Sequence, residues 1–214
     1  MEQVGKFKNI PRVNQIGFLS PFVSFICIAI TTSILPGFDW VDNPLSDLGS
    51  WFRTDLGEFQ ILSAILFNGG LIFTGGLAAY VLVCFMKQSS DLPTKIGLLL
   101  FTGTSLLLAA VGIFSEDFQL PHGLTAVLFF LSIPIGPGLV GLAWLRFSET
   151  RIYGFSSIVF SLISILIMFQ PWIEFSIAVF EILEAFVVLG WMLFMNYLHY
   201  SGRLAYIFPL QDTQ

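Results

Sequence analysis

The sequence predicts an all-α fold: a polytopic membrane helical bundle of six transmembrane helices, with the N and C termini cytoplasmic. Three observations carry that prediction. First, the 214 residues are 56% hydrophobic and 11% charged, with a mean hydropathy of +0.85, whereas soluble domains carry roughly 25% charged residues. A water-soluble globule of this length could not hide so much apolar surface. Second, the apolar residues gather in six runs near the ~20-residue length that crosses a bilayer. Third, the basic residues sort to one side of those runs.

The first run, residues 16–35, reads "IGFLSPFVSFICIAITTSIL". It follows the polar, basic start "MEQVGKFKNIPRVNQ" and lacks a small-x-small cleavage site, so it reads as a retained signal anchor. The remaining runs are 59–86, 96–114, 123–145, 152–169 and 175–198. Backbone polar groups in lipid must be satisfied within each segment, which makes these runs helices. The short alternating strands of a membrane barrel are not visible. Connections are short except for residues 36–57, so the chain reads as a single integral membrane domain, 1–214. Gly69, Gly70, Gly75 and Gly76 in the second run, and Gly136, Gly138 and Gly141 in the fourth, are suited to close helix approach.

Orientation follows from Lys6, Lys8, Arg12, Lys87, Lys95, Arg146, Arg151 and Arg203 on one side and Arg53 alone on the other, eight against one. The basic side is expected to be cytoplasmic, in a cell membrane. Trp40, Trp51 and Trp172 then fall at the outer interface, where indole rings favour the headgroup level. The net charge of −5 excludes a basic footprint for nucleic acid. Cys27 and Cys84 lie in apolar runs at different depths and read as free thiols.

With that orientation, Asp39, Asp42, Asp47, Asp55, Glu58, Glu116, Asp117 and Glu174 all face outward, opposed by Arg53. Such a mouth attracts cations and cationic headgroups. Glu181 and Glu184 lie deeper, in "AVFEILEAFVVLGW". At about 1.5 Å per residue they sit roughly 9 to 14 Å down the sixth helix, and their spacing of three places them on one face. A lone ionised carboxylate there is costly. They are expected to be protonated, to bind a cation or to line a hydrated cavity. Asn68, in "ILFNGGLIF", needs partners at mid-depth, and Glu184 is a candidate. His122 opens the fourth helix near Glu116 and Asp117, an arrangement that suits a proton switch. No HExxH or cysteine cluster accompanies it, so no metal site is assigned. Pro134 and Pro137 in "SIPIGPGLVG" break the fourth helix near the membrane centre, as a packed kink or as the broken helix of a transporter. In "NPLSDLGSW", Asn43, Ser46 and Asp47 read as turn caps. The stretch reads either as an interfacial turn or as a lid with Asp47 facing His122 and the glutamates.

The order "PLSDLG", "FNGG", "VGIFSED" followed by "PH", and a glutamate ahead of a tryptophan in the sixth run resembles a prokaryotic membrane family, domain of unknown function number 998. By that resemblance Ser46, Asp47, Asn68, Asp117, His122 and Glu184 occupy the family-pattern positions. The proline-then-serine loop is also similar, distantly, to that of Frag1/DRAM-type membrane proteins, some of which act in glycolipid anchor remodelling. The seven-helix metal-dependent lipid amidases use several histidines; His122 and His199, at opposite faces, cannot build that site.

Three functions follow as expectations. The first is an enzyme or binding protein for membrane lipid headgroups, with Asp47, Asp117, His122 and Glu184 as the reacting groups and Ser46, Asn68 and Glu181 as binding groups, and a cation as a further ligand. The second is a proton- or cation-coupled transporter built on Glu181, Glu184 and the broken fourth helix. The third is a scaffold or accessory subunit that docks a partner through its acidic loops.

Overall fold

The computed structural model describes residues 10–169 and 176–209. Among them six helical spans are long and apolar enough to cross a membrane. They comprise α1 (Arg12–Ile34), α2 (Gln60–Gln88), α3 (Leu92–Ile113), α4 (Leu120–Ser132) with α5 (Ile135–Leu145), α6 (Arg151–Met168) and α7 (Ile177–Tyr200). Two short 3-10 turns, Leu45–Gly49 and Glu116–Phe118, fill the loops after α1 and α3. Trp172 and Glu174, assigned above to the outer side, lie outside the described residues.

Local chemistry fixes several boundaries. Asp91 caps α3, accepting from Thr94 N at 2.9 Å, with a proline in the first turn. Ser176 caps α7, accepting from Val179 N at 3.0 Å. The fourth span breaks at Ile133–Pro134, because proline has no N–H to continue the ladder. Ser161 Oγ donates to the Pro134 carbonyl at 2.8 Å and Ser157 Oγ to the Pro137 carbonyl at 2.7 Å, so the break is tied to α6.

The spans close into a ring. Contacts run from α1 to α2, α2 to α3, α3 to α5, α5 to α6, α6 to α7, and α7 back to α1. At α5–α6 the backbones nearly touch: a Cβ added to Gly154 would sit 2.8 Å from the Gly141 carbonyl oxygen, and one added to Gly141 2.7 Å from that of Gly154. Large apolar side chains such as Leu19, Phe73 and Leu166 point outward, each at least 60% exposed, as a lipid-facing surface requires.

The six spans put the start of α1 and the end of α7 at the same end of the ring, called here the terminal end. The opposite, loop end holds residues 35–59 and the turn 114–119. At the terminal end Val81, Leu82, Phe85, Phe101, Trp144, Trp191, Met195 and Leu198 form one buried cluster. Trp191 stacks edge-on with Phe101 at 4.5 Å and so plugs the centre of the ring. The residues following α7 fold back to close that end: Ser90 N donates to the Ile207 carbonyl at 2.8 Å.

Candidate functional site

At the loop end the centre of the ring is not filled. A cavity of about 90 Å³ opens there. Its wall comes from α1 (Pro21, Ser24, Phe25, Ile28), α2 (Phe67, Leu71, Thr74), α3 (Leu108, Val111), α4 (Ala126, Phe129, Phe130) and α7 (Ala185, Val188, Leu189). Ser46, His122 and Glu181 form its polar head toward the loop end, while Ser24 and Thr74, deeper in the wall, are hydrogen-bonded within α1 and between α1 and α2. From Glu181 to Leu189 the cavity runs eight residues along α7, about 12 Å at the helical rise. The inner end stops at Pro21, Thr74 and Leu189, above the tryptophan plug.

Two hydrogen bonds orient the polar head of this cavity. Leu45 N donates to Glu181 Oε2 at 2.6 Å, which ties the first 3-10 turn to α7. His122 Nδ1 lies 2.7 Å from the Phe114 carbonyl oxygen. A carbonyl only accepts, so Nδ1 carries the hydrogen, and in the neutral tautomer this leaves the lone pair on Nε2. Glu181 Oε1 and His122 Nε2 have no hydrogen-bond partner among the described residues.

Over the cavity lies the stretch "NPLSDLGSW", held by a web of polar side chains. Asp47 is 1% exposed. Its Oδ2 accepts from Asn43 Nδ2 at 2.7 Å and pairs with the Arg53 guanidinium. Arg53 in turn binds Asp55 at 2.9 Å. Gln60 Nε2 donates to the carbonyls of Asp47 and Ser50 at 3.0 and 2.8 Å, and Ser63 Oγ to that of Leu48 at 2.8 Å. Asn68 Nδ2 donates to the Gly49 carbonyl at 2.8 Å. Glycine is needed at 49, since an added Cβ would run into the Asn68 amide oxygen.

Two acids from the second 3-10 turn complete the web. Asp117 accepts from Ser50 Oγ at 2.7 Å, Trp51 N at 2.8 Å and Ser115 Oγ at 3.0 Å. Burial alone would raise its pKa, but those three donors outweigh it and hold the carboxyl below its ordinary value. Glu116 goes the other way, pushed from 4.5 up to about 8, first by burial and then by its hydrogen bond to Asp47. Asp47 Oδ1 and Glu116 Oε2 are both buried with no other donor, so a proton on Glu116 satisfies the pair.

The positions expected from sequence are thus divided. Ser46, His122 and Glu181 line the cavity. Asp47, Asn68 and Asp117 belong to the web above it. The expected Asn68–Glu184 bond is not formed, because Asn68 reaches up to Gly49 instead. Asp47 faces Asn43, Arg53 and Glu116, and no bond joins it to His122. Asn43 and Ser46 do not cap the turn through their side chains: Pro44 is the N-cap residue, and Asn43 Oδ1 accepts from Asp39 N at 2.9 Å. Glu184, fully buried, turns to α6, where Ser164 Oγ donates to its Oε2 at 2.7 Å while Oε1 is unpaired. The break at Pro134 faces a groove beside α6 and does not line the cavity. Gln60, Ser63 and Ser164 were not singled out from sequence. Gln60 and Ser63, one turn apart at the start of a span, were the available signal. Among the described residues no group of three or more His, Cys, Asp or Glu side chains is placed to hold a metal ion.

A family model described as "Protein of unknown function (DUF998)" matches residues 18–196, from within α1 to near the end of α7. No curated protein and no solved structure is significantly similar to the chain.

Proposed function

We propose that this chain, a multi-pass membrane protein that belongs to the DUF998 family of proteins of unknown function, binds a membrane amphiphile at the loop end of its ring. The single observation that carries the reading is the cavity: an apolar shaft with Ser46, His122 and Glu181 near one end. Binding sites of this kind combine an apolar lining with a few placed polar groups. The apolar tail enters between α1, α2, α4 and α7, and the head stays beside His122 and Glu181. The loop end faces away from the cytoplasm in this reading, supported by the eight-to-one split of basic residues. The tryptophan plug beneath the shaft supports a pocket open to one side over a path through the protein.

The test is retention of lipid. Wild-type protein purified in mild detergent is expected to carry one amphiphile, detected by extraction and mass spectrometry. Ala126→Trp and Ala185→Trp fill the shaft from α4 and from α7 and are each expected to strip most of it while the protein stays monodisperse. Equal retention by both variants overturns the reading.

A further inference from the structure

The polar head of the cavity is built from acceptors. Glu181 offers a carboxyl oxygen, and the open ring nitrogen of His122 is Nε2, the acceptor of its neutral tautomer, because Nδ1–H is committed to the Phe114 carbonyl. Ser46 supplies a hydroxyl that can donate or accept. The backbone donor Leu45 N is taken by Glu181. Among the described residues of the loop end, Arg53 is the sole cation, and Asp47 and Asp55 hold it. The undescribed segment 170–175 contains no Lys or Arg in its sequence, "QPWIEF".

From this we infer that the amphiphile is phosphate-free and carries a hydrogen-bond-donating head, an amine or an alcohol, on a single long chain. The inference rests on the amphiphile-binding reading and names its ligand class. A phosphate brings negative charge and several acceptor oxygens. It would meet the Glu181 carboxyl, with the ionised Asp117 in the web above. Phosphate recognition favours Arg or Lys side chains, and among the described residues of the loop end the one such side chain, Arg53, is already held by Asp47 and Asp55. An ammonium or hydroxyl instead donates to both acceptors. The amine gains further from the carboxylates around it, and the alcohol does not.

The experiment compares three probes that share one chain matched to the shaft: decylamine, decanol and decyl phosphate, offered to delipidated protein in micelles and scored by native mass spectrometry. Amine and alcohol are expected to bind at least about tenfold better than the phosphate, a gap of about 1.4 kcal/mol. The amine outranks the alcohol if charge adds to donation, and equals it if donation alone counts. Glu181→Gln keeps an acceptor for Leu45 N, so it is expected to retain chain binding while narrowing the gap between amine and phosphate; His122→Phe narrows it from the other wall. Ala185→Trp is expected to remove all three probes. If all three bind alike, or the phosphate binds best, and Ala185→Trp still removes them, the head assignment fails while the shaft stands. If no probe binds, or Ala185→Trp changes nothing, the binding reading itself fails.

Discussion

The two ends of this ring are filled by different means. At the terminal end, side chains meet across the centre: Trp191 against Phe101, with Trp191 Nε1 donating to Ser157 at 2.8 Å and Trp144 Nε1 to Thr94 at 3.1 Å. His199 is held there between Gln88 at 2.9 Å and Asn14 at 3.1 Å, and stacks on Phe85. At the loop end Leu35, Leu45, Leu48, Leu56, Phe67 and Ala178 pack the loop against the spans, but a cavity is left beneath them. A folded-down loop covers the gap, and hydrogen bonds from α2 and the turn 116–118 hold that loop. Packing of fully buried aromatics gives one rigid arrangement. A polar web over a hollow leaves titratable groups and accessible acceptors beside space that a ligand can enter. With the function proposed above, stability rests mainly on one end and binding on the other.

The largest break of that contrast is at the plug. Trp191 is fully buried. Trp191→Ala removes its packing and its bond to Ser157, and is expected to cost about 3–5 kcal/mol, read as a sharp drop in the melting midpoint in detergent. A loss of under about 1 kcal/mol would show that the terminal end does not carry the fold.

The next effect belongs to the web and is a pH effect. Glu116 is raised from 4.5 to about 8 in the folded protein, chiefly by burial. The folded state therefore binds more protons than the unfolded state between those values, so its contribution is fully present below about pH 4.5 and is lost as pH rises through about 8. Asp47, Arg53 and Asp117 face the same group. Asp117, held low by its donors, stays ionised through this window. Hydrogen-exchange protection of residues 45–51, corrected for intrinsic rate, is expected to fall across that range in the wild type and to be flat in Glu116→Gln. Protection that rises with pH would contradict the shared proton.

The sequence made the six spans legible, because lipid demands unbroken apolar length and this chain has six such runs. Their ends shifted by a few residues: α1 begins at Arg12, not 16, and the fourth span at Leu120, not 123. Polar residues can cap a helix outside the hydrocarbon without adding to its apolar count. Direction around a helix was not legible. Glu181 and Glu184 differ by about 300° of helical rotation, which leaves them ~60° apart. That is enough to send Glu181 to the hollow centre and Glu184 to the seam with α6. Asn68 was placed at a depth where Glu184 was an available partner, but the loop that folds down to meet it belongs to the tertiary structure. The serines on α6 show the same gap. Ser157, Ser161 and Ser164 share a face, yet only the neighbouring kink and glutamate give that face its bonds.

The smallest expected effect tests whether an ion pair matters at the packed end as one does in the web. Arg146 reaches Asp91 at 2.5 Å, but the arginine is 48% exposed. Asp91 is also the α3 cap, accepting from Thr94 N and from Thr94 Oγ1 at 2.7 Å. Burial would raise the Asp91 pKa, and the Thr94 bonds, followed by Arg146, bring it below the ordinary value. Removing the arginine therefore leaves the carboxylate with its helix donors, and exposed pairs of this kind contribute roughly 0–1 kcal/mol. Arg146→Ala is expected to fall in that range. Asp91→Ala should cost more, about 1 kcal/mol through the lost cap. In a double-mutant cycle of melting midpoints, the coupling between the two should stay below about 1 kcal/mol. A coupling as large as the loss on Trp191→Ala would mean that charge, rather than aromatic packing, closes the terminal end, and the contrast between the two ends would dissolve.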